Sequence, residues 1–173
     1  MKQKSTTMRV PAACGCGCGE AVDWPIGAML KWYRSKRTRN SEMPQNITKS
    51  AKDIVKDALS QVTAISAEEA MSLVGSPDHV FVDLRDGIEQ AKTGIIAGAV
   101  ASSRGMLEFH IDPDSPAHKP EFNQDKTYVF YCASGGRSAL AATVAMEMGL
   151  SPLVNLTGGV GAWKKAGGDL VQE

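Results

Sequence analysis

The chain predicts an α/β fold with a mainly parallel sheet flanked by helices, and two observations carry that reading. Short apolar runs rich in aromatic and β-branched residues, at His79 to Leu84, Tyr128 to Tyr131 and Pro152 to Leu156, alternate with stretches of helical periodicity. That is the pattern of strands joined by crossover helices. The sharpest alternation lies between Tyr128 and Gly149. There an apolar run ends at Cys132, Gly135 and Gly136 break it, and Leu140, Val144 and Met148 follow at helical spacing. Strand, tight loop and helix are therefore expected, with Cys132 at the junction.

Taken in order, residues 1–42 read differently from the rest. Lys2, Lys4, Arg9, Lys31, Arg34, Lys36, Arg37 and Arg39 stand against Glu20, Asp23 and Glu42, with prolines, many glycines and little periodicity. A basic disordered tail is expected there. Cys14, Cys16 and Cys18 supply three thiols at alternate positions without a fourth ligand nearby, which argues against structural zinc, and no metal is expected. Glu20, Asp23 and the scarcity of serine argue against a transit peptide, and Met43 falls where ordinary composition begins, so the preceding residues read as an upstream extension.

Residues 43–63 carry Ile47, Ala51, Ile54, Val55, Ala58, Leu59 and Val62 on one stripe, the signature of an amphipathic helix of about four turns. Such a helix either packs on its own domain, the weightier reading, or joins two copies as a homodimer through 47–62. A domain over 64–173 follows. Ser66 and Glu69 form a capping box and Gly75 with Pro77 a stop, which predicts a helix over about 67–74.

The run from His79 reads as a buried strand with Asp83 and Arg85 at its carboxyl end. They line a pocket there, or form a structural ion pair with Glu89; the second weighs more. Gly94 to Ala101 reads as a loop entering a short strand, and Arg104 brings another cation to the same edge. His110 and His118 fall in no metal motif and are read as surface or loop residues. Pro152 to Leu156 gives a further strand, and Gly158-Gly159 leads into a short helix with Trp163 as a core anchor.

The junction at Cys132 has chemical consequences. Ligands of open α/β sheets collect at the carboxyl ends of strands, where the next helix presents free N–H groups and partial positive charge. Ala133, Ser134, Gly135, Gly136, Arg137 and Ser138 contain no carboxylate, the glycines can turn their amides inward, and Arg137 adds a full positive charge. A free thiol is mostly protonated at neutral pH, and such surroundings favour its thiolate. The loop reads as an anion cradle around a nucleophile.

Composition narrows the classes. At 173 residues and 43% hydrophobic content the chain can hold one domain with a substantial core. A formal net charge of zero argues against a general nucleic-acid partner, and no run reaches the length that spans a bilayer, so neither nucleic acid nor membrane is expected as a partner. Cys132 has no obvious disulfide mate in the core, which suits a reducing, cytoplasmic setting.

With Cys132-Ala-Ser-Gly-Gly-Arg-Ser set between strand and helix, the chain resembles the single-domain rhodaneses, the sulfurtransferase family, over about 64–170. Asp83-Leu-Arg85 followed by Glu89, Gly94 to Ala99 as Gly-x-Ile-x-Gly-Ala, and Gly158-Gly159 before Trp163 match the family's pattern in the same order. The resemblance implies a rhodanese-like fold and no cofactor. It makes Cys132 the residue that becomes a persulfide, Ala133 to Ser138 the substrate-binding loop and Arg137 its cation, with Arg85 and Arg104 as further candidates. It also implies a small-molecule sulfur donor, such as thiosulfate or a persulfide, and a thiol or cyanide acceptor. Ile95 and Ala133 stand where rhodaneses often carry a histidine and a second basic residue, which makes a donor less charged than thiosulfate plausible. Two rivals are a phosphatase or arsenate reductase of related fold and a non-catalytic persulfide carrier or interaction module. The first uses a cysteine, five residues and an arginine, whereas four residues separate Cys132 from Arg137 and no aspartate adjoins the loop.

Overall fold

The computed structural model describes residues 7–10, 22–28, 31 and 45–172. The chain divides into two units, Met1–Thr48 and Lys49–Glu173. In the first, strand β1 (Thr7–Val10) pairs antiparallel with β2 (Val22–Pro25), Thr7 opposite Pro25 and Val10 opposite Val22. These eight residues, which the sequence placed in a disordered tail, thus form a two-stranded ribbon. The reading of Cys14, Cys16 and Cys18 falls outside the described residues.

The second unit is a five-stranded parallel sheet in the order β3-β7-β6-β4-β5, where β3 is Thr63–Ile65, β4 His79–Asp83, β5 Val100–Ala101, β6 Thr127–Tyr131 and β7 Leu153–Leu156. Its helices are α1 (Ala51–Leu59), α2 (Ala67–Ser72), α3 (Gly87–Thr93), α4 (Leu107–Ile111), α5 (Gly136–Glu147) and α6 (Gly159–Lys165), with a 3₁₀ turn at Pro120–Phe122. Among the described residues, no helix is long and apolar enough to cross a membrane.

Burial on both sides explains why β4 and β6 read as unbroken apolar runs. Val80, Val82, Tyr128, Phe130 and Cys132 pack on one face with Leu107 and Ile111 of α4 and Ala141, Ala142 and Ala145 of α5. Phe81, Val129 and Tyr131 alternate onto the other face, with Ala67 and Ala70 of α2 and Val160 and Trp163 of α6. Trp163 meets the Phe81 ring edge-on, 6.3 Å between centroids at 68°. Ala139, Ala141, Ala142 and Ala145 of α5 are fully buried, and their small side chains let the helix lie close on the sheet.

The register matters for the site. Asp83 of β4 stands opposite Tyr131 of β6, so both strands end at one level, and Leu84 N–H closes the ladder on the Tyr131 carbonyl at 3.0 Å. Cys132 is the first residue after β6, at the centre of the carboxyl edge.

Helix α1 is shorter than its apolar stripe suggests. Ser50 and Asp53 form a capping box that starts it, and Ser60 caps its end. Ile47 lies before the helix and is exposed, as are Ile54 and Leu59, while Val55, Ala58 and Val62 turn inward. Val55 packs on α5, since a β-carbon built on Gly136 would lie 3.6 Å from a Val55 methyl. The Ser66–Glu69 capping box is present at the start of α2, which ends at Ser72. His110, read as a surface or loop residue, instead lies within α4, half-buried, with Nδ1 2.8 Å from Ser102 Oγ.

Candidate active site

Cys132 leaves β6 with no exposed surface, and the chain wraps over its sulfur at once. Gly135 takes φ +89, a left-handed conformation open to glycine, and caps the N-terminus of α5. That turn aims the Gly135 N–H at Cys132 Sγ, 3.2 Å away, and the Ser138 hydroxyl lies 3.5 Å from the same sulfur. Burial pushes the thiol pKa up, but the Ser138 hydroxyl and the amides of Ser138, Ser134 and Gly135 outweigh it, so the pKa is lowered. The sulfur is thus surrounded by hydrogen-bond donors, backbone amides and one hydroxyl.

A second turn braces the first. Val160 N–H donates to the Cys132 carbonyl at 2.8 Å and Gly161 N–H to the Ala133 carbonyl at 3.1 Å. Gly159, at φ +54, comes so close that a β-carbon there would lie 2.2 Å from the Cys132 carbonyl oxygen. Asn155, fully buried on β7, donates from Nδ2 to the Gly135 carbonyl at 3.4 Å. The sequence marked Gly158-Gly159 as a helix entry; the structure makes it the floor of the Cys132 loop.

Arg137 makes no hydrogen bond to the sulfur. Its guanidinium forms a two-pronged pair with Glu89 of α3, Nη1 to Oε2 at 2.6 Å and Nη2 to Oε1 at 2.8 Å, with Asp86 3.9 Å from Nη1. Glu89 raises the Arg137 pKa, and the Arg137 hydrogen bonds hold the Glu89 carboxyl down at about 2. The loop itself lacks a carboxylate, as the sequence showed, but α3 supplies one across 48 residues of sequence.

The cluster of Asp83, Arg85 and Glu89 thus separates into two pairs. Arg85 Nε donates to both Asp83 oxygens at 2.9 and 3.1 Å, Nη2 to Asp83 and to the Gly94 carbonyl, and Nη1 to Thr93. Its side chain is 2% exposed. Arg85 is accordingly a buried brace joining β4 to the end of α3, and it lines no open site; its partner is Asp83 rather than Glu89. Burial works against the Arg85 charge and the Asp83 carboxylate more than offsets it, so its pKa is raised. Arg104 does reach the carboxyl edge, where its N–H bonds the Leu84 carbonyl at 3.2 Å, but its guanidinium is engaged by Glu108 at 2.7 Å. Among the described residues, no group of three or more His, Cys, Asp or Glu is placed to hold a metal ion.

The rhodanese-like domain model matches residues 66–166, more than half of the chain and all of the geometry just described. The chain belongs to the rhodanese-like domain family. A sulfurtransferase of Allochromatium vinosum is 33% identical over 107 residues, covering 61% of this chain and 92% of that protein. A thiosulfate:glutathione sulfurtransferase of Saccharomyces cerevisiae is 31% identical over 117 residues, 64% of this chain and 84% of its own. Among solved structures, a protein of unknown function from Rhodopseudomonas palustris, described as a possible tyrosine phosphatase, is 47% identical with a TM-score of 0.71 and covers 75% of this chain and 100% of that one. A rhodanese-related protein of Thermoplasma volcanium superposes with a TM-score of 0.52 at 26% identity, over 64% of this chain and 99% of that one.

Proposed function

We propose that this rhodanese-like chain is a sulfurtransferase that carries sulfane sulfur on Cys132. The observation that carries the reading is a buried cysteine whose sulfur receives the Gly135 amide and the Ser138 hydroxyl at a helix N-terminus, with its pKa lowered. Those donors stabilise a thiolate before any substrate arrives. The thiolate attacks the outer sulfur of the donor and a new bond forms from Cys132 Sγ to that sulfur. The donor's S–S bond breaks, and its electron pair leaves as sulfite from thiosulfate or as a thiolate from a persulfide. An acceptor thiolate or cyanide then attacks the outer sulfur of the Cys132 persulfide and returns the thiolate. The leaving groups are stable anions, so no general acid is required. Sulfurtransferases of Allochromatium and yeast, at 33% and 31% identity, support the same chemistry.

The spacing also favours sulfur over phosphoryl chemistry. Four residues lie between Cys132 and Arg137, and the guanidinium that would clamp a phosphate is already held by Glu89. Mass spectrometry after exposure to donor tests the reading directly: the protein gains about 32 Da, one sulfur atom, on Cys132. Cys132→Ser folds normally and neither gains that mass nor turns over, because a serine hydroxyl is not ionised near neutral pH. Activity of that variant within about tenfold of wild type sinks the assignment. With excess donor and acceptor an enzyme turns over continuously, whereas a carrier or sensor shows a single burst.

A further inference from the structure

We infer that Glu89 sets the charge of the donor this site accepts, by offsetting the charge of Arg137 and repelling the donor's own; this rests on the sulfurtransfer reading above. Each terminal nitrogen of Arg137 bonds one oxygen of Glu89, at 2.6 and 2.8 Å, and Asp86 lies 3.9 Å from one of them. The guanidinium keeps its remaining N–H donors, so a donor's anionic group meets it with the Glu89 carboxylate still alongside. Glu89 offsets the Arg137 charge and sets a negative charge beside the donor's own. That penalty grows with each negative charge the donor carries.

The position of the pair fits this role. The Arg137 and Glu89 side chains are 38% and 37% exposed, and Ile88 beside them is 85% exposed, so the pair stands at an open rim rather than in the core. The buried pair Asp83–Arg85 shows the contrast: it is sealed, with its donors shared among Asp83, Thr93 and Gly94. The hydrogen bonds to the sulfur come from Gly135 and Ser138 rather than from Arg137. What remains for Arg137 is the incoming or departing anion, and Glu89 decides how freely it is offered. The site therefore suits donors bearing one negative charge or none and disfavours dianions such as thiosulfate.

The test compares thiosulfate, a dianion, with methanethiosulfonate, a monoanion whose S–S bond is broken in the same way. Glu89→Gln removes the carboxylate charge and keeps an oxygen for the Asp86 N–H at the start of α3, where Gln serves a capping box as well as Glu. The ratio of kcat/KM for thiosulfate to that for methanethiosulfonate should rise roughly tenfold in Glu89→Gln, the size of one charge–charge interaction in a partly solvated cleft. Asp86→Asn, which keeps a good N-cap, should move the ratio the same way by a smaller factor and carries the test if Glu89→Gln does not fold. Loosening of the loop alone would lower both donors together and leave the ratio flat. A ratio unchanged within about twofold, with the wild type reacting with both donors, overturns the role of Glu89 and leaves sulfur transfer standing. Failure of both donors to load wild-type Cys132 overturns both.

Discussion

At Cys132 the decisive neighbours are a few atoms away, and some of them were legible. The sequence put the cysteine before two glycines and a helix start, and the structure aims the Gly135 amide at its sulfur from 3.2 Å. Ser138 was read as one member of the loop, yet its hydroxyl is the foremost of the influences lowering the thiol pKa against burial. Ser138→Ala should therefore raise the thiol pKa. At a given pH on the acid limb, alkylation of Cys132 by iodoacetamide should slow roughly three- to tenfold, as for a long hydrogen bond worth about 1 kcal/mol. At high pH, where both forms are thiolate, the rates should converge. A uniform loss at every pH would assign Ser138 to loop structure instead. Glu89 was the residue whose role stayed out of reach. It was noticed as a partner for Asp83 and Arg85, which lie near it in sequence, whereas its true partner Arg137 is 48 positions away. Only the level ending of β4 and β6 brings α3 to the start of α5.

Among the elements, those with strong local signals were readable and those defined by their neighbours were not. Strand β6 and helix α5 announce themselves by apolar run, glycine break and helical spacing. Strand β3 has three residues at the sheet edge, Thr63–Ile65, with no alternation to expose it, and it exists because β7 offers a partner. Helix α1 is shorter than its apolar stripe because Ser50 caps it beyond Ile47. The turn from β7 into α6 was visible as a glycine pair, but its purpose depends on the Cys132 carbonyl that it supports. Gly159→Ala tests that purpose. The added β-carbon would lie 2.2 Å from the Cys132 carbonyl oxygen, and the residue sits at φ +54. Steric overlap and left-handed strain together should cost about 3 kcal/mol of stability. The same change should reduce persulfide formation even at temperatures where the protein stays folded, because the loop must move to relieve the clash. Gly167→Ala is the control: its φ is +87 but nothing lies within 4 Å of the added atom. It should lose stability through backbone strain and keep its activity. Equal loss of activity in the two variants would remove Gly159 from the site.

On the scale of the whole molecule, the α/β class was legible because both faces of the sheet are covered, and that coverage prints apolar runs into β4 and β6. What composition could not show is how charge is arranged. A net charge of zero conceals a sealed pair, Asp83–Arg85, beside more open pairs, Glu89–Arg137 among them, at the same edge. The Glu89–Arg137 pair gives global stability a defined pH dependence. The Arg137 hydrogen bonds, working against burial, hold Glu89 at about 2 in the folded protein, compared with an ordinary 4.5. As pH falls, the unfolded chain binds this proton first. The contribution of Glu89 is therefore complete above about 4.5 and disappears as pH falls from there to about 2. The Glu89→Gln variant lacks this titration. Urea midpoints of wild type and variant should hence differ by a constant amount from pH 7 to about 5.5 and draw together towards pH 2.5. Both side chains are more than a third exposed, so solvent screening keeps the change under about 1 kcal/mol. Added salt should shrink it further. A difference that stays level through the whole acid range would mean that Glu89 and Arg137 contribute no paired charge to folding, and the pair would then matter to the site alone.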